Sequence, residues 1–425
     1  MSENASDDIR KTRLDNGIRI VTRRIPHVRS VSMGVWVDAG ARDESMEESG
    51  ISHFIEHMIF KGTSRRSAYQ IAKEFDVIGG QTNAFTSMET TCYHAKVMDA
   101  HLPTMTDILC DILLNSVFDD REVEKERPVI FQEIGMVEDA PEEYIHILSE
   151  HAYWGEHPLG RSVLGTKENV VGFNADAIRS FFRRAYGPEG IVIAAAGNLD
   201  HDRFLDLVAP TFGTLPADRS LPARVPARGH SQVAVHHRDL EQVHVCLEAG
   251  GIPVTDPRRY AFSLLNTMLG GNMSSRLFQE VRENRGLAYA IYSYMTSYVD
   301  TGMFGIYTAV GPEQARETVE VVLAELDRIK TEPVDPGELR DAKEYTKGCL
   351  YLSVENVDSQ MVRLAQNEIH FGEFIPLEAV VAQVEAVTEA DIRRLARDLF
   401  APDALALTFL GPVTDKGPLE NLLPR

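Results

Sequence analysis

The sequence predicts an α+β chain of two similar, duplicated domains, each a mainly antiparallel mixed β-sheet covered by helices. Length is the first of three observations behind this: 425 residues is too much for one small core and suits two domains of roughly 150–250 residues. The second is a composition break at Thr214–His230, TLPADRSLPARVPARGH, where three prolines, three arginines and few large apolar residues fall within 17 positions. Such a stretch reads as a linker, and it lies near the midpoint. The third is internal repetition across that break. VSMGVWVDAG ending at Gly40 matches VHVCLEAG ending at Gly250, YHAKVMDAHLPTMTDIL from Tyr93 matches YTAVGPEQARETVEVVL from Tyr307, and FDDREVEKE from Phe118 matches VDPGELRDA from Val334. The offsets are 210, 214 and 216, in one order. The expected division is therefore residues 1–215, a linker at 216–230, and residues 231–425.

Within the first half, short β-branched and aromatic runs mark strands at Ile18–Thr22, Val31–Val37, Thr90–Val97 and Ile191–Ala196. Between Ser67 and Ile78 the apolar residues Ala68, Ile71, Ala72, Phe75 and Ile78 keep helical spacing, and Gly79 and Gly80 stop the helix. Asp120–Glu138 reads as a further helix, which Pro128 would kink or break. The strand from Glu89 to Val97 is expected to offer an edge to an extended peptide.

Composition narrows the function. Hydrophobic residues at 44% and charged residues at 25% are ordinary for a globular protein. A net charge of −21 repels phosphate, which excludes nucleic acid as a partner and favours cationic ligands. No apolar run approaches the 18 or so residues that span a bilayer, so no membrane partner is expected. The N-terminus, MSENASDDIRKTRLDNG, reads as neither secretory signal nor transit peptide. Four scattered cysteines, Cys92, Cys110, Cys246 and Cys349, suit buried thiols in a reducing compartment. The expected location is the cytoplasm.

The strongest chemical signal is Gly50–Phe60, GISHFIEHMIF. Ile51, Phe54, Ile55, Met58 and Ile59 recur at helical spacing and would bury one face, leaving His53, Glu56 and His57 together on the other. Two imidazoles at i and i+4 reach one ion, and Glu56 falls where water beside that ion would be held. This is H-x-x-E-H, the reverse of the common zincin order; chance gives about 0.04 matches in a chain of this composition. The competing reading is a polar helix face that binds nothing. A hydrolytic Zn²⁺ site needs a third protein ligand and an open position. Glu122, Glu124, Glu126, Glu133 and Glu138 all lie on the Asp120–Glu138 helix, and Glu126 and Glu133, seven apart, share a face. Helical geometry alone allows either as ligand.

H-x-x-E-H followed 76 residues later by Glu133, with Glu126 seven before it, resembles the pitrilysin family of zinc peptidases. By length and two-halved organisation the chain is similar to the mitochondrial processing peptidase branch and its bacterial relatives. The likeness extends to GGQTNAFTSMETTCY (Gly79–Tyr93) and SRLFQEVRENRGLAYAIYS (Ser275–Ser293). It implies that His53, His57 and Glu133 bind one zinc per chain, that Glu56 is the general base, and that Glu126 is an accessory glutamate. It also implies that Asn83, Arg282 and Tyr289 bind substrate. The second-half counterpart of the zinc helix, Ser263–Leu269 (SLLNTML), has neither histidine nor acid, so one half would do the metal chemistry.

The expected function is a zinc endopeptidase that hydrolyses short or unfolded, basic peptides in a closed chamber. The resemblance implies a homodimer, with a heterodimer containing a metal-free homologue as second choice. The alternative is a non-catalytic assembly or peptide-binding protein of the same fold.

Overall fold

The computed structural model describes residues 8–215, 220–413 and 417–423. Two sheets organise it. The first holds β1 (Ile9–Arg13), β2 (Arg19–Arg24), β3 (Ser30–Val37), β4 (Gln81–Thr86), β5 (Thr91–Met98) and β6 (Ile191–Gly197) in the order β1-β2-β6-β3-β5-β4. The second holds β7 (Val233–His237), β8 (Val243–Gly250), β9 (Ala288–Ser297), β10 (Gly302–Val310) and β11 (Ala406–Gly411) in the order β7-β11-β8-β10-β9. Among the described residues only β2/β6 and β7/β11 are parallel pairs; the other pairings are antiparallel. From β2 and from β7 onward the two orders are the same, so the matched segments occupy equivalent strands and helices in both sheets.

The central strands of the first sheet are buried on both faces, which explains why β3 (SVSMGVWV) and β6 (IVIAAAG) read as continuous apolar runs instead of alternating ones. On one face lie α1 (Ile51–Ile59), α2 (Ala68–Val77) and α3 (Leu102–Leu114), whose Phe54, Met58, Phe75 and Ile108 join Val31, Met33 and Val35 in one core. On the other, Met361, Leu364 and Ala365 of the helix Val357–Phe371 pack on Trp36, Val192 and Ala194. Two further helices, α4 (Asp120–Asp139) and α5 (Pro141–Trp154), follow α3. Ile145 of α5 is buried with Cys246, Tyr307 and Leu410 of the second sheet.

The compact units therefore differ from the contiguous spans 1–215 and 231–425. One comprises Met1–Ile134, Ser162–Arg224 and Tyr351–Pro376; the other comprises Gly135–Arg161, Val225–Leu350 and Leu377–Arg425. The physical reason is exchange: each sheet has a second apolar face, and the helix that covers it comes from the other half of the chain. Of the 216–230 linker, residues 216–219 lie outside the described residues; the remainder is without helix or strand and divides between the units at Arg224 and Val225.

Several local expectations meet their structures here. α2 starts at a capping box, in which Ser67 Oγ accepts from Gln70 N and Gln70 Oε1 accepts from Ser67 N, and it stops before Gly79 at φ +62°. Pro128 does not break α4, which runs 20 residues without interruption. The expected edge at Glu89–Val97 is corrected: β5 is paired on both sides, by β3 and β4, so the free edge belongs to β4. Cys92, Cys110 and Cys246 are buried and free, whereas Cys349 is exposed. Among the described residues no helix is long and apolar enough to cross a membrane.

Candidate metal centre

The centre is built on α1. Its entry is fixed by Gly50, at φ +97°, where a Cβ would come within 2.7 Å of the Leu164 carbonyl. The Glu44 carboxylate accepts from Gly50 N at 2.7 Å and from Ser52 N at 2.8 Å, supplying an anion to the positive end of the helix. Ile51, Phe54, Ile55, Met58 and Ile59 are all buried, so the apolar stripe anchors the helix and fixes the direction of the polar trio. His53 is buried as well, while Glu56 and His57 are half-buried.

α4 brings the carboxylates to this helix. Glu133 Oε1 lies 3.5 Å from His53 Nε2 and Glu133 Oε2 lies 3.3 Å from His57 Nε2. Ligand atoms of His53, His57 and Glu133 all fall within 4.8 Å of one another, the one such group of three found among the described residues. Tetrahedral bonds of about 2.0–2.1 Å put donor atoms roughly 3.3 Å apart, so the two separations suit an ion between the groups better than direct hydrogen bonds of about 2.9 Å.

Glu126 has a different part. His57 Nδ1 lies 2.9 Å from Glu126 Oε1, and Lys61 Nζ lies 2.5 Å from Glu126 Oε2. With the proton on Nδ1 donated to Glu126, the Nε2 lone pair of His57 is left facing Glu133. Carboxylate–imidazole pairs of this kind orient a metal ligand and raise its basicity. His53 Nδ1 is buried with no hydrogen-bond partner among the described residues, so packing is what holds that ring.

Two carboxylates, Glu126 and Glu133, flank the His57 ring. Burial of the His57 ring works against its charged form, yet Glu126 and Glu133 outweigh burial and push its pKa up to about 9. The facing His53 and His57 rings, against burial, hold the Glu133 carboxyl well below the usual range. Burial raises and the His57 and Lys61 partners lower the pKa of Glu126, with a net fall. Without a metal, a proton on His57 supplies the positive charge the two carboxylates attract.

The other residues singled out from the sequence are placed as follows. Glu56 Oε2 accepts from Thr86 Oγ1 at 2.7 Å. Asn83 is exposed in the edge strand β4 itself, and its Oδ1 accepts from Ala84 N at 2.9 Å. In the other unit the Arg282 guanidinium stacks on the rings of Phe278 and Tyr289, at 4.7 and 4.9 Å, and lies 3.6 Å from Glu283. Tyr289 is 82% exposed on β9, an edge strand of the second sheet. Glu122 and Glu124 pair instead with Lys125 and Arg127 along α4. Sequence reasoning missed Lys61 and Thr86. Lys61 sits four residues after His57, a spacing that could have flagged it; Thr86 carries no sequence signal, because its partner is set by where β4 crosses α1.

Known proteins resemble the chain over nearly its whole length. Residues 19–167 match the family model described as Insulinase (Peptidase family M16), and residues 172–345 match the Peptidase M16 inactive domain. The chain is 43% identical over 400 residues to YmxG of Bacillus subtilis, named an uncharacterized zinc protease, with 94% of this chain and 98% of that protein covered. It is 40% identical to an uncharacterized zinc protease of Streptomyces coelicolor, over 97% of this chain and 92% of that protein. In fold it is similar to a protease from Helicobacter pylori, with a TM-score of 0.90 at 22% identity over 95% of this chain and 99% of that one. A structure from Pseudomonas fluorescens described as a peptidase M16 inactive domain superposes with a TM-score of 0.89 at 19% identity, over 96% of this chain and 98% of that one. With a peptidase-family match over residues 19–167 that contains the H-x-x-E-H helix and relatives alike over nearly the whole length, the chain belongs to the pitrilysin-type M16 family of metallopeptidases, in its bacterial form.

Proposed function

We propose that this metallopeptidase is a zinc endopeptidase of short or unfolded, basic peptides, with His53, His57 and Glu133 as ligands to one zinc per chain and Glu56 as the general base. The observation that carries the reading is the convergence of two Nε2 atoms and one carboxylate at 3.3–3.5 Å. When bound there, zinc supplies Lewis acidity toward water and toward a peptide carbonyl. Glu56, steadied by Thr86, accepts a proton from the attacking water and returns it to the leaving amide nitrogen. Glu126 holds the His57 tautomer, and burial of His53 keeps its ring from turning.

Substrate binding follows from the free edge of β4, where an extended peptide gains backbone hydrogen bonds without a sequence requirement. Asn83 is assigned to that strand contact, and Arg282 and Tyr289 are assigned to substrate binding from the second unit. The net charge of −21 favours basic peptides. A closed chamber formed by a homodimer, in the cytoplasm, completes the proposal.

The test joins zinc content, particle mass and hydrolysis of a quenched basic peptide with and without a chelator. Glu56→Gln should keep one zinc and lose nearly all turnover. Zinc without chelator-sensitive cleavage in the unaltered protein would refute the peptidase reading, and a monomer with full activity would refute the dimer.

A further inference from the structure

We infer that Thr86 is a positioning residue for hydrolysis, which ties the edge strand β4 to the carboxylate of Glu56. Thr86 Oγ1 donates to Glu56 Oε2 at 2.7 Å, and no other hydrogen bond to that carboxylate occurs among the described residues. A glutamate on a helix has three rotatable side-chain bonds, so one oriented donor decides how often it stands ready for a proton transfer.

The donor is itself held. Thr86 pairs with Thr91 at the end of β4, and its β-branched side chain has few χ1 choices. Side chains alternate along the strand. Ala84 packs on the core that contains Phe54 and Met58 of α1, and Thr86 shares that face. Phe85 points the other way and meets Trp36 edge-on at 5.4 Å between ring centroids. β4 is thereby clamped in depth, and its hydroxyl is aimed at α1. The strand that would pair with a peptide and the group that would activate water are referenced to the same backbone. This inference rests on the reading of Glu56 as base, and it adds that peptide pairing and base orientation are coupled through a single hydroxyl.

The test compares Thr86→Val, which keeps shape and removes the donor, with Thr86→Ser, which keeps the donor. A hydrogen bond to a charged group is worth enough to predict a fall in kcat of about 10- to 100-fold for Thr86→Val, with KM within about twofold and one zinc retained; Thr86→Ser should restore turnover to within about threefold. Added to Glu56→Gln, Thr86→Val should cost no further turnover and leave the affinity for the same basic peptide, read by fluorescence anisotropy, unchanged. Unaltered kcat in Thr86→Val, equal losses in the Val and Ser variants, or a further tenfold fall on the Gln background would each overturn the role of Thr86 while leaving the metallopeptidase site intact. Absence of chelator-sensitive turnover in the parent protein would instead remove the base assignment, and Thr86 with it.

Discussion

In the proposed zinc site a proton competes with the metal for His57, and the structure sets the size of that competition. In the metal-free protein Glu126 and Glu133 push the ring to a pKa of about 9, yet it must surrender its Nε2 proton to ligate. Below pH 9 the apparent zinc affinity should therefore fall about tenfold per pH unit, reaching roughly 100-fold at pH 7, or about 2.7 kcal/mol at 1.36 kcal/mol per unit. With the His57 side chain only 21% exposed, solvent screening trims this figure without abolishing it. The same shift has a stability counterpart of defined sign. Because the folded pKa lies above the unfolded 6.5, the proton stabilises the metal-free fold fully below pH 6.5, and that contribution is lost as pH rises through 9. Competition with a chromophoric chelator at pH 6.5, 7.5 and 8.5, with proton release counted in weak buffer, reads both. Close to one proton should leave per zinc bound at pH 7.5. Equal affinity at pH 6.5 and 8.5 with no proton released would refute the reasoning.

Glu133→Gln removes the charge that faces both Nε2 atoms at 3.3–3.5 Å; zinc affinity should drop well beyond the roughly 10- to 100-fold typical of an outer-shell partner, as read by equilibrium dialysis. Glu126→Gln, which changes only that outer partner, should fall within this range, and a loss as large as that of Glu133→Gln would reverse the two assignments. Phe54→Ala empties a fully buried site on the core face of α1 and should cost about 3–5 kcal/mol in denaturant unfolding. Gly50→Ala must leave φ +97° or drive its Cβ to 2.7 Å from the Leu164 carbonyl, so a loss of about 1–3 kcal/mol is expected, and a neutral result would show that the turn before α1 can relax.

Much of this protein is written in local pattern. The five apolar residues of GISHFIEHMIF are all buried, because a 3.6-residue period decides which side of a helix meets a core whatever that core contains. The repeat at offsets of 210–216 foretold two equivalent sheets, since similar sequence in the same order meets similar packing constraints. Sequence periodicity also narrowed the α4 acids to one face.

Contacts between distant segments were another matter. Helical spacing could not say whether Glu126 or Glu133 meets the Nε2 atoms; the depth at which α4 crosses α1 decided it, leaving Glu126 to Nδ1 and Lys61. The free sheet edge fell to β4 and not β5 because pairing order is a property of the whole sheet. Likewise the two compact units do not follow the linear halves, since each sheet's outer apolar face is covered by whichever amphipathic helix the chain brings to it. A sequence determines which faces must be buried; only the folded chain determines what buries them, because that choice is made by packing among elements far apart in sequence.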